Sequence, residues 1–482
     1  MFLRSFNSIK TFCYWLCSVQ IVDLRRFCHW SWRLEISISR ISGFPEFLPA
    51  QQIAFEKCKR TIVEVFESNG FCPIDTPAVE RLDTLLAKGC DSNEIYALHR
   101  ARGEDKDGEL GLRFDLTVPL ARYVSQHYGQ LSFPYRRYHI APVWRGERPQ
   151  SGRYRQFYQC DIDVVGDGSL SLMFDAEVLT VICKALKAIG VCDFHVKVNN
   201  RKILMTFFES LLYKSQTISE SIYQAIRAID KKGKIAVEQI LAELQYIIGD
   251  EFNENELLMW FFSKKSKKEW FDFFEKQQFT DMLRKHSFDN GVSELRTVVD
   301  SSISMGLDEN SIIIDPSLAR GLDYYTGTIY EIVLPSFPEL GSISGGGRYD
   351  NLAHTLSSKN FPGVGMSIGL TRLATALIER GIIDSSSSST SRLLVVIQDQ
   401  RYFSYCSDFA NRMRTAGINT ELYLGDKGLK AKIRYADRAN IPFVSIIGQR
   451  EFEENFVTLR DMKNQRQYFV SQDEAISIIN AQ

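Results

Sequence analysis

The chain has 482 residues, 44% hydrophobic and 24% charged, a globular composition that excludes disordered and fibrous readings and leaves length for about three domains. Lys+Arg 58 against Asp+Glu 59 gives a formal charge of −1. That excludes a polycation, so a nucleic-acid partner would be held by local basic patches.

Residues 1–42 are aromatic-rich, with Phe2, Phe6, Phe12, Tyr14, Trp15, Trp30 and Trp32. Arg4 and Lys10 precede an apolar stretch over 12–22, but no small-residue cleavage site follows. The segment reads as a poorly structured extension, or translation from an upstream start, rather than a targeting peptide. The globular pattern starts at Gly43. Ile53, Cys58, Ile62, Val65 and Phe66 predict a helix, and Gly70 stands where its C-cap belongs. A strand is expected over 71–79, at an edge or interface because it holds Pro73 and Pro77. Further β-like runs cover 112–116, 135–144 and 156–165. Val178, Leu179, Ile182, Cys183 and Leu186 then mark an amphipathic helix ending at Gly190.

Residues about 200–300 are rich in Lys, Glu, Phe and Leu and read as a helical insertion. Strand signals return at 312–314, 328–334 and 363–368, followed by a helix over 371–379 and a serine-rich linker at 381–391. Beyond it, apolar runs at 393–397, 420–424 and 443–447 alternate with helical patterns at 403–416 and 430–440, which predicts a small α/β module. Ten cysteines, at 13, 17, 28, 58, 72, 90, 160, 183, 192 and 406, form no C-x-x-C pair. They read as reduced, buried thiols. No apolar run reaches the ~20 residues of a membrane-spanning helix.

The stretch Arg145-Gly146-Glu147-Arg148-Pro149-Gln150-Ser151-Gly152-Arg153-Tyr154-Arg155-Gln156-Phe157 sets four arginines in eleven residues around a Pro/Gly loop. Guanidinium forks match phosphate oxygens, although an isolated loop of this kind is more often a solvated hairpin. Here Gln159, Asp161 and Asp163 follow on one strand face, which is costly to bury unless it lines a polar site. Ala319-Arg320-Gly321-Leu322-Asp323-Tyr324-Tyr325-Thr326-Gly327 sets an arginine, an acid and two phenols beside a strand. The glycine clusters at 345–347 and at 363, 365 and 369 match neither G-x-G-x-x-G nor a Walker sequence. In a strand, such glycines mark close backbone approach. No Ser-His-Asp order, H-E-x-x-H or paired-carboxylate signature is visible, and His139 and His195 read as satisfied core residues rather than ligands. The chemistry therefore rests on positioning and on charge neutralisation by arginine.

These residues resemble the histidyl-tRNA synthetase family of class II aminoacyl-tRNA synthetases. The loop 145–157 resembles motif 2, GVGMSIGLTR at 363–372 resembles motif 3, and the helix and strand ending at Pro77 resemble the dimer-forming motif 1. RGLDYYTG at 320–327 and LRFDLT at 112–117 resemble the histidine-specific signatures. The resemblance spans residues 43–482.

It implies an antiparallel-sheet catalytic domain over 43–380 with a helical insertion, and an anticodon-binding domain over 392–482. It also implies a cytoplasmic homodimer without a membrane anchor that takes histidine, ATP and tRNA(His) and forms AMP and diphosphate. By the resemblance, Arg145 holds the α-phosphate and Arg372 the γ-phosphate of a bent ATP, with Glu147 beside them. Arg320 bridges the histidine carboxylate and the α-phosphate, so Arg145 and Arg320 are the catalytic pair. Asp115, Thr117 and Gln159 bind the α-amino group, with Leu116 between Asp115 and Thr117 on the same segment, and Asp163 with Tyr324 and Tyr325 reads the imidazole. Many bacterial members carry Glu where this chain has Asp115 and Asp163. Mg2+ is expected with ATP, without an identifiable ligand. In the basic run Lys427, Lys430, Lys432, Arg434 and Arg438, positions 427, 430, 434 and 438 share one helical face, and the resemblance assigns that face to tRNA.

The competing reading is a catalytically silent relative, the histidine-sensing regulatory subunit of ATP phosphoribosyltransferase. It predicts decayed ATP-binding arginines and no anticodon domain. An RNA-sensing module fused to a kinase is the third reading, and no kinase signature is present.

Overall fold

The structure, a computed structural model, describes residues 39–86, 94–99, 109–148, 152–212, 218–279, 281–320, 324–351, 354 and 359–481. The expected N-terminal extension lies almost wholly outside these residues, as do Pro149, Gln150, Ser151, Gly321, Leu322 and Asp323. The chain divides into residues 1–41 and 42–482, and every element described below lies in the second unit.

The first helix, Pro49–Ser68, buries Phe55, Cys58, Ile62 and Phe66 on one side. Gly70 ends it at φ +79°, a conformation that side chains rarely adopt. Four short strands follow: β1 (Cys72–Pro73), β2 (Val79–Arg81), β3 (Ala97–Leu98) and β4 (Leu110–Leu112). The strand expected over 71–79 is thus two pieces. β1 sits at the edge of the main sheet, as Pro73 requires, and β2 joins β3 and β4 in a separate three-stranded sheet. The run over 112–116 is not a strand beyond Leu112. Asp115 Oδ1 accepts the backbone N–H of Thr117 (3.2 Å) and Val118 (2.9 Å), which turns the chain into the helix Thr117–His127.

The main sheet adds β5 (Tyr135–Trp144), β6 (Gln156–Val165), β7 (His195–Asn200), β8 (Ile312–Ile314), β9 (Thr328–Val333), β10 (Ser342–Tyr349) and β11 (Gly363–Gly369). Its order is β1-β5-β6-β11-β10-β9-β7-β8, antiparallel except for the outermost pair at each end. Successive side chains on a strand point to opposite faces, so register decides what meets. Arg137, His139 and Ala141 of β5 pair with Asp163, Asp161 and Gln159 of β6. Those three pair in turn with Gly365, Ser367 and Gly369 of β11. One face is therefore polar or bare. The alternate residues Ile162, Val164, Val364, Met366 and Ile368 are buried in the main core with the helices Pro49–Ser68, Met173–Ala188 and Leu370–Glu379.

Between β7 and β8 the described residues form six α-helices, from Arg201–Leu211 to Met282–Ser304, packed around Phe207, Trp260, Phe274 and Phe288. The C-terminal sheet comprises β12 (Leu393–Ile397), β13 (Thr420–Tyr423), β14 (Phe443–Ile447), β15 (Val457–Asp461) and β16 (Arg466–Val470), in the order β13-β12-β14-β15-β16. Every residue of β12 and β14 is buried. The first three strands are parallel, and the antiparallel β15 and β16 complete a mixed α/β architecture. Cys58, Cys160, Cys183 and Cys406 are buried, whereas Cys72 and Cys192 are exposed, against the expectation of buried thiols throughout.

Candidate active site

A cavity of about 920 Å3 opens over the polar face of the main sheet. Gln159, Asp161 and Asp163 from β6 line its floor, with Gly365, Ser367 and Gly369 from β11 and Ser344 and Gly345 from β10. The glycines make room for side chains. A Cβ at Gly365 would stand 1.9 Å from Asp163 Oδ1, and one at Gly345 would stand 2.8 Å from Arg320 Nη1. The clusters thus serve close approach, as expected.

The floor holds a buried charge network. Arg137 Nη2 lies 2.6 Å from Asp163 Oδ2, and the Tyr349 hydroxyl donates to Asp163 Oδ1 at 2.6 Å. Burial pushes the Asp161 carboxyl up to about 7, against the pull of Arg137 and with the push of Asp163. His139 shares a 3.0 Å contact with Asp75, but its Nδ1 has no partner, so it is a half-satisfied core residue. Burial first, then Arg137 and Arg113, push its pKa down to about 3, which keeps the ring neutral. The Tyr324 hydroxyl donates to that of Tyr325 at 3.0 Å, and burial holds both phenols protonated, Tyr325 at about 12.

Arginines form the rim. Arg145 lies over Phe114 (4.3 Å) and Phe157 (5.2 Å), and its Nε donates to the Phe114 carbonyl at 3.3 Å. Glu147 lies between Arg145 and Arg153, at 3.9 and 3.7 Å. Arg320 donates to Glu331 at 3.1 Å. Arg372 is half-buried and its Nε has no partner. Burial, then the neighbouring Arg153 and Arg320, lower its pKa. Guanidinium groups that repel one another across a void are what an oligophosphate would neutralise.

Of the expected residues, Asp115, Thr117, Arg145, Glu147, Gln159, Asp163, Arg320, Tyr324, Tyr325 and Arg372 all line this one cavity. Leu116 does not. Its side chain is fully buried with Ala141 and Val143, and only its carbonyl, an acceptor for Arg137 at 3.3 Å, faces the network. Lys427, Lys430, Arg434 and Arg438 are exposed on the C-terminal module, Lys427 just ahead of the helix Leu429–Ala439. Lys432 leaves that face, buried, and donates to the Ile397 carbonyl at 2.7 Å. Arg137 and Tyr349 were missed as site residues. The signal for Arg137 was its place two residues before His139 on β5, which the β5–β6 hairpin sets opposite Asp163.

A family model described as histidyl-tRNA synthetase matches residues 43–373, and one described as an anticodon-binding domain matches 392–482. A histidine–tRNA ligase of Clostridium tetani is 43% identical over 92% of this chain and 98% of its own. One of Finegoldia magna is 40% identical over 92% and 99%. The crystal structure of a histidyl-tRNA synthetase from Nostoc sp. superposes with a TM-score of 0.82, at 36% identity over 93% of this chain and all of that one. A Bacillus halodurans structure titled as an ATP phosphoribosyltransferase regulatory subunit/histidyl-tRNA synthetase shares the fold, with a TM-score of 0.66 at 19% identity over 83% and 96%.

Proposed function

This chain belongs to the histidyl-tRNA synthetase family, and from that premise we infer the work of its cavity. The chain is a histidine–tRNA ligase. It condenses histidine with ATP to histidyl-adenylate, releases pyrophosphate and passes the histidyl group to the 3′ end of tRNA(His).

The observation that carries the assignment of roles is the stacking of an arginine rim over a buried carboxylate and phenol floor in one cavity. Asp163, with Tyr324 and Tyr325, reads the imidazole. Neutral imidazole has one donor and one acceptor nitrogen, and a carboxylate and a phenol answer both. Buried polar partners reject amino acids that lack those groups far better than an apolar pocket would. Asp115, Thr117 and Gln159 take the α-amino group, to which Leu116 can add only its main chain. Arg320 spans the histidine carboxylate and the α-phosphate, Arg145 holds the α-phosphate from its seat between two rings, Glu147 stands at the nucleotide, and Arg372 takes the γ-phosphate. A carboxylate oxygen then attacks the α-phosphorus, its bond to the bridging oxygen breaks, and pyrophosphate leaves. The protein supplies alignment and positive charge and no nucleophile.

Mg2+ is expected with ATP, but among the described residues no group of three or more His, Cys, Asp or Glu could hold a metal ion. Glu147 and Glu331 already face arginines. The described residues do not build a metal site, and no step is routed through one. The exposed cations Lys427, Lys430, Arg434 and Arg438 meet tRNA(His), whose splayed anticodon bases suit recognition by such a face. The protein works in the cytoplasm as a homodimer built on the Pro49–Ser68 helix and the edge strand β1. The silent-relative reading predicts lost ATP arginines and no anticodon domain. Arg145, Arg320 and Arg372 instead line the cavity, and residues 392–482 match an anticodon-binding model.

Histidine-dependent ATP–pyrophosphate exchange tests this. The intact chain should catalyse it, and Arg320→Ala should lower it at least ~10²-fold, the scale of one transition-state donor. Exchange unchanged in Arg320→Ala would remove the role given to that arginine. No exchange in the intact chain would restore the silent relative.

A further inference from the structure

Two acceptor atoms on residues that line the cavity have no hydrogen-bond partner within the protein: one on Gln159, already placed at the α-amino group, and one on Asp161, which has no role so far. They are Gln159 Oε1 and Asp161 Oδ1, and both are buried. Their orientation has a cause. Ser367 stands opposite Asp161 in the β6–β11 register, close enough to lower the pKa of its carboxyl. The serine oxygen accepts from Gln159 Nε2 at 3.1 Å. With the amide nitrogen committed to Ser367, the amide oxygen is left as a buried acceptor on a residue that lines the cavity.

Charge points the same way. Asp161 and Asp163 share one buried guanidinium, Arg137, while His139 on β5 is held neutral. Arg137 is paired with Asp163, so an ionised Asp161 has no ion-pair partner of its own among the described residues, and a lone buried charge is costly until it is paired. The rise of the Asp161 pKa with burial is that cost.

Resting on the ligase reading, we propose that Asp161, acting directly and through Ser367 and Gln159, forms with Gln159 Oε1 the paired acceptor for the α-ammonium of the amino-acid substrate. Asp161 is thus a binding residue and also the positioning residue that fixes the Gln159 amide. An asparagine at 161 can donate to Ser367, which reverses the chain of hydrogen bonds and turns the Gln159 amide nitrogen toward the ammonium.

The test compares histidine with deaminohistidine, 3-(imidazol-4-yl)propanoate, as a competitive inhibitor of exchange. Asp161→Asn should raise the histidine KM at least ~10-fold, leave the ATP KM within ~2-fold, and change the deaminohistidine Ki by less than ~3-fold, the scale of one charge-assisted hydrogen bond. Ser367→Ala should raise the histidine KM several-fold in the same pattern. Equal losses on histidine and deaminohistidine, or an unchanged histidine KM, would overturn the proposal. Absence of exchange in the parent chain would instead remove the ligase reading on which it rests.

Discussion

The main sheet and the C-terminal sheet spend burial in opposite ways. In β12 and β14 every residue is buried, and helices cover both faces with Cys406, Phe409, Met413 and Ala475 on one side and Ala436 on the other. The proposed tRNA contact of that module falls to exposed cations, Lys430, Arg434 and Arg438, on the helix Leu429–Ala439. In the main sheet one face is buried the same way, but the other buries Arg137, His139, Asp161 and Asp163. Those groups cost stability and are tolerated only where paired or held neutral. A site that reads a small polar molecule needs desolvated partners, whereas a surface that meets an RNA backbone needs only exposed charge on a firm base.

Breaking the buried network should have the largest effect. Arg137→Met strands two carboxylates and should cost ~3–5 kcal/mol of stability in denaturant unfolding, with exchange lost as well. As a contrast, Val395→Ala should cost on the order of 2 kcal/mol in the C-terminal core and leave the histidine KM unchanged. A changed histidine KM in that variant would break the division between the two regions. Arg372→Ala should lower kcat/KM for ATP by ~10²-fold in exchange assays without weakening tRNA binding. Lys430→Gln with Arg434→Gln should do the reverse. We expect a ~10-fold weaker tRNA Kd, a salt-dependence slope smaller by ~1.4, and unaltered exchange.

The smallest effect is a gain. Asp161 has a folded pKa of about 7, above the unfolded ~3.9, so the folded state binds its proton more tightly. The stability this group contributes is full below pH ~4 and is lost as pH rises through 7. Asp161→Asn should therefore match the parent in thermal unfolding near pH 4 and exceed it by a few °C at pH 8. An equal Tm difference at both pH values would contradict the burial of that charge.

Much of this was legible in the sequence, for identifiable reasons. β5, β6, β12 and β14 are long or wholly apolar, so their patterns survive without a partner strand. The arginine loop and the alternation of Gln159, Asp161 and Asp163 announced a polar site because each placed several costly residues together. Other features depend on partners that a single stretch does not show. β10 carries Gly345, Gly346 and Gly347 and has no side-chain period there to read. β1 to β4 are too short for any period. The run 112–116 alternates Leu112, Phe114 and Leu116 like a strand, yet Asp115 turns it into a helix. Arg137, beside Arg136, reads as a surface charge until the hairpin register sets it against Asp163. Leu116 entered the site through its neighbours in the segment, while its own side chain belongs to the core.

The central claim is that the floor of Asp163, Tyr324 and Tyr325 selects one amino acid and the arginine rim activates it. ATP–pyrophosphate exchange measured on the intact chain with each of the twenty amino acids in turn tests this most directly. Exchange with histidine alone is the predicted result. Exchange with another amino acid at a comparable rate, or with none, would contradict it.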